Sequence, residues 1–259
     1  MNCGPMTDRP FDFTEDAFLG GRLRLRQPKT GHRAGHDAML LAAATLARPG
    51  DRVVDFGAGV GAAGLAVAKR VTGLDLILVE IDAELAALAR DNAAANAIAA
   101  EVIVLDLTSS ADAFRAAGLA PDSVDVVLMN PPFNDSGRHR ASPDAARKTA
   151  HVATAETLEC WIGAARRILK SGGVVSLIWR ADALFEVLAA LDHGFGSLAI
   201  LPVHGDADAP AIRVLVRAIK GGKAPSRIYA ALILNEGSAP TQRVQEVLAG
   251  KGSLPLAAP

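Results

Sequence analysis

The feature that most constrains the fold is a regular alternation of short apolar strands with Ala-rich helical segments from residue 52 onward. Such alternation is typical of a mostly parallel sheet with helices on both faces, and the late β-like runs add antiparallel pairing. We therefore predict an α/β fold with a mostly parallel sheet and late antiparallel edge strands. The predicted strands are Arg52–Phe56, Leu76–Val79, Val102–Leu105, Val124–Met129, Val174–Trp179, Leu198–Val203, Ile212–Ile219 and Ile228–Leu234, and the helices are Ala62–Arg70, Ala83–Ala97, Ala111–Ala117, Ala155–Lys170 and Ala183–Leu191.

The segment before this alternation has a different character. Residues 1–36 are polar and Gly-rich, and the alternating stretch Arg22–Arg26 predicts one arm of a hairpin. Asp37 is predicted to be the N-cap of a helix over Ala38–Ala47, and Pro49-Gly50 follows that helix. We expect residues 1–36 to form an N-terminal arm and residues 37–259 to form one domain.

Composition excludes several classes of protein. The chain has 259 residues, half of them hydrophobic and only 4% aromatic, so its core is built from Ala, Val, Leu and Ile. Its two cysteines, Cys3 and Cys160, include no CxxC pair, which argues against a disulfide framework and a Cys-based zinc site. His32 and His36 have Gly35 between them and do not predict a metal site. No segment approaches the roughly 18 apolar residues of a membrane span, so we expect a cytoplasmic protein without a metal.

Charge is balanced overall but unevenly distributed. The net charge is −1, yet residues 20–36 and 211–227 each carry five basic residues and no acid, and residues 138–151 are also basic. A solvated surface explains any one run. Three runs in a neutral chain weakly favour a polyanionic partner.

A glycine-rich turn follows the first strand of the alternation. Asp55-Phe56-Gly57-Ala58-Gly59-Val60-Gly61 joins a predicted strand to a predicted helix, where glycines allow a tight turn and close approach of a ligand. In isolation the segment could be a plain strand-to-helix turn. Its Gly-x-Gly-x-Gly spacing differs from the dinucleotide Gly-x-Gly-x-x-Gly pattern, and a P-loop Lys is absent.

Acidic residues end the next two predicted strands. Glu80 lies about 20 residues beyond the glycine loop, where an acid can accept both ribose hydroxyls of an adenosine. This position favours an adenosine ligand without choosing between NAD and S-adenosylmethionine. Asp106 could accept from an adenine amino group, or it could merely cap the helix near Ser109. Asp82 is better interpreted as a helix N-cap.

The most informative motif is Asn130-Pro131-Pro132-Phe133, directly after the strand Val124–Met129. Two prolines fix their φ angles, and Asn130 is held out of the helical region, so the corner is rigid and rich in acceptors. The Asn130 side-chain oxygen and the Pro131 carbonyl can hold the two N–H bonds of a planar amine, and Phe133 offers a face for stacking. The alternative is an ordinary strand-ending turn, for which Asn-Pro is common.

At these motifs the chain resembles the class I methyltransferases of the Asn-Pro-Pro-Phe type. The resemblance implies a Rossmann-like α/β fold, a seven-stranded, mostly parallel sheet with an antiparallel edge strand and helices on both faces. The resemblance implies S-adenosylmethionine as cofactor and Asn130, Pro131, Pro132 and Phe133 as the catalytic set. It implies a cofactor site made of Asp37, Asp55, Gly57, Ala58, Gly59, Gly61, Glu80, Ile81, Asp106, Leu107 and Asn130.

A second, weaker resemblance indicates which molecule receives the methyl group. Residues 33–41, Arg-Ala-Gly-His-Asp-Ala-Met-Leu-Leu, are similar to a stretch of the tRNA1(Val) adenine-37 N6-methyltransferases, and this implies an RNA partner, tRNA above all. rRNA guanine-N2 and protein glutamine-N5 methyltransferases share the tetrad and remain alternatives. The core starts near Arg52 without the helical domain of the glutamine enzymes, and the glycine spacing argues against a dehydrogenase. Asn134-Asp135 replaces a second aromatic that many relatives have after the tetrad.

Overall fold

The computed structural model describes residues 13–29, 33–132 and 143–258, with backbone alone for 143–155. Its strands are β1 (Phe13–Phe18), β2 (Leu23–Pro28), β3 (Arg52–Phe56), β4 (Asp75–Glu80), β5 (Ala100–Val104), β6 (Val124–Met129), β7 (Leu169–Arg180), β8 (Phe195–His204), β9 (Ala211–Lys220), β10 (Arg227–Ile228), β11 (Leu232–Ile233), β12 (Asn235–Glu236) and β13 (Ala239–Pro240). Its helices are α1 (His36–Ala44), α2 (Ala62–Arg70), α3 (Ala83–Ala95), α4 (Ala111–Ala116), α5 (Pro143–Ile168), α6 (Leu184–Leu191) and α7 (Gln242–Leu248), with 3₁₀ turns at Leu19–Gly21, Ala181–Ala183 and Pro255–Ala257.

The central sheet has the predicted α/β architecture. In the described part of the chain its order is β10-β8-β9-β7-β6-β3-β4-β5, and β11 also pairs with β8. Without the two-residue strands β10 and β11, seven strands remain, as the resemblance implies. β9 lies between β7 and β8 and runs antiparallel to both, so β8 is the outer of these seven strands on that side. The pairs among β3, β4, β5, β6 and β7 are all parallel.

This strand order creates a crevice between β3 and β6. From β3 the chain proceeds to β4 on one side and later returns to β6 on the other, with Asp55 opposite both Leu78 and Leu128. Open α/β sheets bind ligands where the order reverses, outside the carboxyl ends of the strands. The glycine loop after β3 and Asn130 after β6 flank that point.

Helices cover both faces of the sheet. One buried cluster joins α1, α2, α3 and α7 to one face, and a second joins α4, α5 and α6 to the other. Leu23 and Leu25 of β2 belong to the first cluster, so the hairpin β1–β2 shares the core of the α1 face. Among the described residues, no helix is long and apolar enough to cross a bilayer.

The hairpin is joined to α3 by two asparagines one helical turn apart. The backbone of Arg26 exchanges hydrogen bonds with Asn92, N to Oδ1 at 2.8 Å and Nδ2 to O at 3.0 Å. The backbone of Arg24 does the same with Asn96, at 3.0 and 2.6 Å. These carboxamides act as a further strand would, and they satisfy the free edge of β2.

Two predicted helix starts are wrong. Helix α5 begins at Pro143 instead of Ala155, because Pro is well suited to the first helical turn and no glycine or further proline follows until Gly163. The N-cap of α1 is Gly35, not Asp37, whose carboxylate is instead paired with Arg213 Nε at 2.9 Å. The N-cap predicted at Asp82 is confirmed, since its side chain accepts from the N–H groups of Glu84 and Leu85.

Candidate active site

The glycine loop forms one wall of a hollow at the carboxyl edge of the sheet. Gly57, Gly59 and Gly61 all have positive φ, the left-handed conformation that favours glycine. Asn130 faces the same hollow from the end of β6. The lining consists of Ala34, Ala38, Asp55, Gly57, Ala58, Gly59, Val60, Ala62, Ala63, Leu85 and Asn130.

Glu80 is buried below the loop. Its Oε2 accepts from the Gly59 N–H at 2.7 Å, and its Oε1 accepts from the N–H groups of Ile81 and Asp82 at 2.9 and 3.0 Å. A carboxylate offers about four acceptor positions. Glu80 therefore fixes the loop and retains capacity for a further donor, which suits the predicted contact with ribose hydroxyls.

Asp55 is a buried acid in the same hollow. Its Oδ2 accepts from the Gly64 N–H at 2.7 Å. Burial raises the pKa of Asp55 from 3.8 to about 7, while the Gly64 hydrogen bond lowers it and the charge of Glu80 raises it further. A cation in this hollow would favour the ionised carboxylate.

Asn92 holds the loop from behind. Besides its bonds to Arg26, its Nδ2 donates to the Val60 carbonyl at 3.0 Å. The Asn92 side chain is 1% exposed and therefore joins the hairpin to the glycine loop through the interior. Sequence reasoning missed this residue, since an Asn in an Ala-rich helix gives no local signal.

A second hollow lies on the other side of Gly57. It is lined by Gly57, Val79, Ile81, Leu105, Asp106, Leu107 and Trp161. Ile81 is 63% exposed, which leaves an apolar surface open to a flat ligand. A Cβ on Gly57 would lie 2.2 Å from Trp161 Cη2, so glycine is required where α5 approaches the loop. Trp161 was not predicted, because a tryptophan within an amphipathic helix is usually a core residue.

Asp106 lies at the rim of this second hollow. Its Oδ1 accepts from the N–H and the hydroxyl of Thr108, both at 2.8 Å, and these bonds lower the pKa of Asp106. The N-cap of α4 is Ser110, so Asp106 does not have the capping role that was its alternative. Both of these bonds use Oδ1, and contact of Asp106 with an adenine amino group stays a prediction.

Asn130 and Pro131 form the corner after β6. Within the described residues, Asn130 Oδ1 is buried without a hydrogen-bond partner. Buried side-chain oxygens normally have a partner, and Asn130 Oδ1 thus has capacity for a donor in the hollow that Asn130 lines. Pro131 is buried and Pro132 is exposed. Phe133, like Arg138 and His139, lies outside the described residues.

Asp37 is placed differently from the other predicted cofactor residues. Its carboxylate pairs with Arg213 of β9, and its neighbours Ala34 and Ala38 line the first hollow. Gly61, another predicted cofactor residue, is the N-cap residue of α2. A direct role of Asp37 in cofactor binding stays a prediction.

The sequence profile of the methyltransferase small domain family matches residues 35–204. The chain belongs to this family. A tRNA1(Val) (adenine(37)-N6)-methyltransferase of Dickeya chrysanthemi is 30% identical over 193 residues, 74% of each chain, and one of Dyadobacter fermentans is 28% identical over 77% of this chain and 80% of its own. A ribosomal RNA small subunit methyltransferase C of Pseudomonas syringae is 34% identical over 130 residues, and this match spans half of the present chain and about a third of the relative, 32%.

Solved structures agree with the fold. A protein from Agrobacterium tumefaciens described as a predicted O-methyltransferase superposes with a TM-score of 0.70, at 36% identity, over 84% of this chain and 98% of its own. The 16S rRNA N2 G1207 methyltransferase of Thermus thermophilus, solved with AdoMet and guanosine, superposes with a TM-score of 0.54 at 20% identity, over 81% of this chain and 50% of its own, and supports the fold alone.

The chain is a methyltransferase, and its cofactor is S-adenosylmethionine. The described residues fit this molecule. The hollow beside Ile81, Asp106 and Trp161 suits an adenine, Glu80 suits its ribose, and the buried acid Asp55 suits an ammonium group. The absence of a side chain at Gly57 makes room for the ring of Trp161 beside the glycine loop.

Proposed function

We propose that the protein methylates the exocyclic N6 of an adenine in tRNA, with a guanine N2 in rRNA as the second candidate acceptor. The observation that supports an amine acceptor is the unpartnered Oδ1 of Asn130, buried in the same hollow as the glycine loop. The relatives that match most of the chain are named as tRNA adenine-N6 enzymes, and this favours adenine. The shorter matches to ribosomal RNA methyltransferase C support the guanine candidate.

The chemistry asks the protein mainly for positioning. When bound, S-adenosylmethionine supplies an activated methyl group. A base amine is a weak nucleophile, because its lone pair is delocalised into the ring. Asn130 Oδ1 and the Pro131 carbonyl accept its two N–H bonds and direct the remaining electron density toward the glycine loop. Holding reacting atoms in line supplies much of the rate in such reactions.

No strong base is required near the amine. The nitrogen becomes cationic as its bond to carbon forms, and its proton is then acidic enough to leave to water. The acceptors that held the N–H bonds also stabilise the developing positive charge. Phe133 is proposed to stack on the base, although it lies outside the described residues. We place this activity in the cytoplasm.

Asn130→Ala should lower turnover by at least ~100-fold, because it removes an acceptor that positions the amine. The dissociation constant for S-adenosylmethionine should stay within a few fold. Asn130→Asp keeps an acceptor oxygen and should retain more activity than Asn130→Ala. Single-turnover methyl transfer and calorimetric cofactor binding measure the two effects. Equal activity of the Ala variant and the wild type would refute the role of Asn130.

The acceptor is tested by transfer of tritiated methyl groups to tRNA, rRNA and protein fractions from cells that lack the gene. Nucleoside mass spectrometry of the labelled fraction should show N6-methyladenosine in tRNA. N2-methylguanosine in rRNA would select the second candidate. Label in protein alone, on glutamine, would contradict both RNA acceptors while leaving the cofactor unaffected.

A further inference from the structure

A larger cavity lies at the opposite edge of the sheet from the glycine loop. Its volume is about 360 Å³, and small-molecule sites usually have volumes of about 300–1,000 Å³. It is enclosed by the loop before β3, the first residues of β6 and β7, and the last part of the antiparallel β9. All of these lie at the amino edge of the parallel strands, so the cavity is separate from the cofactor crevice.

The two carboxylates in its wall accept hydrogen bonds from neighbouring residues. Asp125 accepts from Lys170 Nζ at 2.7 Å and from the Arg52 N–H at 2.9 Å. Asp51 accepts from the Arg48 N–H at 2.8 Å. Neither acid pairs with the Arg48 guanidinium, which forms no ion pair within the described residues.

Arg217 is the second cation in the wall that lacks a carboxylate partner in the described part of the chain. Its side chain comes from the middle of the sheet and is only 5% exposed. Its Nη1 donates to the carbonyls of Leu256 and Ala258, but its buried Nε has no acceptor among the described residues. Burial lowers the pKa of Arg217, and the charge of Arg227 adds to this, while Tyr229 acts in the opposite direction.

A buried guanidinium stays charged in proteins and is costly to leave without a counter-charge. The lining thus contains three cations and two acids and carries one net positive charge; Asp125 is paired with Lys170, and neither acid forms an ion pair with Arg48 or Arg217 in the described part of the chain. Arg48 and Arg217 remain for a ligand, and Gly172 leaves the space beside it free of a side chain. Guanidinium groups match phosphate and carboxylate oxygens in both charge and geometry.

We propose that this cavity binds a small anion bearing a phosphate or carboxylate group, through Arg217 and Arg48. The ligand would be the size of a mononucleotide or smaller, because the cavity volume lies near the lower end of the range for ligand sites. It would stabilise the segment around Leu256, which Arg217 holds. It would bind whether or not the cofactor is present.

Thermal unfolding of the full chain in inorganic phosphate and in citrate tests this proposal. Each anion is compared with sodium chloride at the same ionic strength, with and without saturating S-adenosylmethionine. We expect a saturable rise in melting temperature with at least one of the two anions, and the one that acts distinguishes phosphate from carboxylate chemistry. Melting temperatures that follow ionic strength alone, or a rise that S-adenosylmethionine abolishes, would overturn the proposal.

Ser171→Glu is the main variant, since Ser171 is exposed, lines the cavity and has no part in the Arg217 hydrogen bonds. The added carboxylate should weaken the apparent anion affinity at least tenfold. Arg217→Gln should do the same if it folds. Lys223→Gln removes one exposed charge that does not line the cavity and should leave the affinity unchanged. Unchanged affinity in Ser171→Glu, or an equal loss in Lys223→Gln, would contradict the site.

Discussion

Asn92 combines two contacts in a single carboxamide. Its Oδ1 and Nδ2 bind the backbone of Arg26 in the hairpin, and its Nδ2 also binds the carbonyl of Val60 in the glycine loop. Asn96, one turn later, binds Arg24, and its side chain has no hydrogen bond to the glycine loop in the described part of the chain. The two asparagines therefore separate support of the hairpin from support of the loop.

Asn92→Ala should weaken S-adenosylmethionine binding by about tenfold, because a loop carbonyl loses its donor and a buried hydrogen bond is worth about 1–3 kcal/mol once its partner is left unsatisfied. Turnover at saturating cofactor should change less than twofold. Asn96→Ala should lower the melting temperature to a comparable degree but leave cofactor affinity intact. Calorimetric binding measures the cofactor affinity, and thermal unfolding measures the melting temperature. Equal losses of affinity in the two variants would show that Asn92 acts on cofactor binding only through the stability of the fold.

Trp161 is the other residue whose position only the tertiary structure reveals. It lies on α5, about 100 residues after Gly57 in the sequence, and packs against Gly57 in the structure. Asn130 and Gly57 could be predicted because each follows a strand with a local motif. Trp161 could not, since its spacing within α5 is equally that of a core residue.

Trp161→Ala should raise the cofactor dissociation constant by about tenfold, because an aromatic contact with a base is worth about 1–3 kcal/mol. Trp161→Phe should lose less. Bound cofactor should also quench the fluorescence of Trp161, whereas Trp179 is buried away from the second hollow. A titration of fluorescence in Trp161→Phe is the check, and undiminished quenching there would remove Trp161 from the site.

At the scale of the elements, the hairpin β1–β2 distributes its arginines between two tasks. Arg22 donates to the carbonyls of Leu19, Ala249 and Gly250 and so ties the hairpin to the end of α7. Arg24 is 69% exposed and pairs with Glu15 at the surface, and Arg26 lies 5.1 Å over the ring of Phe13. The exposed pair contributes little to stability and leaves Arg24 open to a phosphate.

Replacing Arg24 and Arg26 together by Gln should therefore weaken RNA binding and reduce its dependence on salt, with little change in melting temperature. Arg22→Gln should show the reverse pattern, a lower melting temperature with the salt dependence retained. Filter binding of tRNA across a range of salt concentrations distinguishes the two. An unchanged slope in the double variant would exclude the hairpin from the RNA surface.

Local periodicity predicted the elements well where apolar spacing was unbroken. β3, α2 and β6 have the bounds that the sequence indicates. The start of α5 was missed because its first turns are polar, and polar spacing resembles that of a loop. The run Ile228–Leu234 was predicted as one strand, but the structure has two short strands there, β10 and β11, which both pair parallel with β8.

At the scale of the whole molecule, one titrating group, Asp55, lies in the cofactor crevice and also makes the stability of the fold depend on pH. Asp55 lies in the central strand β3, fully enclosed, with its pKa raised to about 7. In the unfolded chain the same group ionises near 3.8. Between these two pH values the folded state holds a proton that the unfolded state has lost. The contribution of Asp55 to stability is therefore present at low pH and declines as the pH rises toward 7.

Asp55→Asn should remove this decline. The free energy of unfolding of the variant relative to the wild type should rise by about 3 kcal/mol between pH 5 and pH 8, since each unit of pKa shift corresponds to about 1.4 kcal/mol. Groups common to both proteins cancel in this difference. Saturating S-adenosylmethionine, whose ammonium favours the ionised carboxylate, should reduce the slope in the wild type alone. Urea unfolding at several pH values, with and without cofactor, measures all four slopes, and parallel curves for the two proteins would show that Asp55 ionises in the crevice without cost.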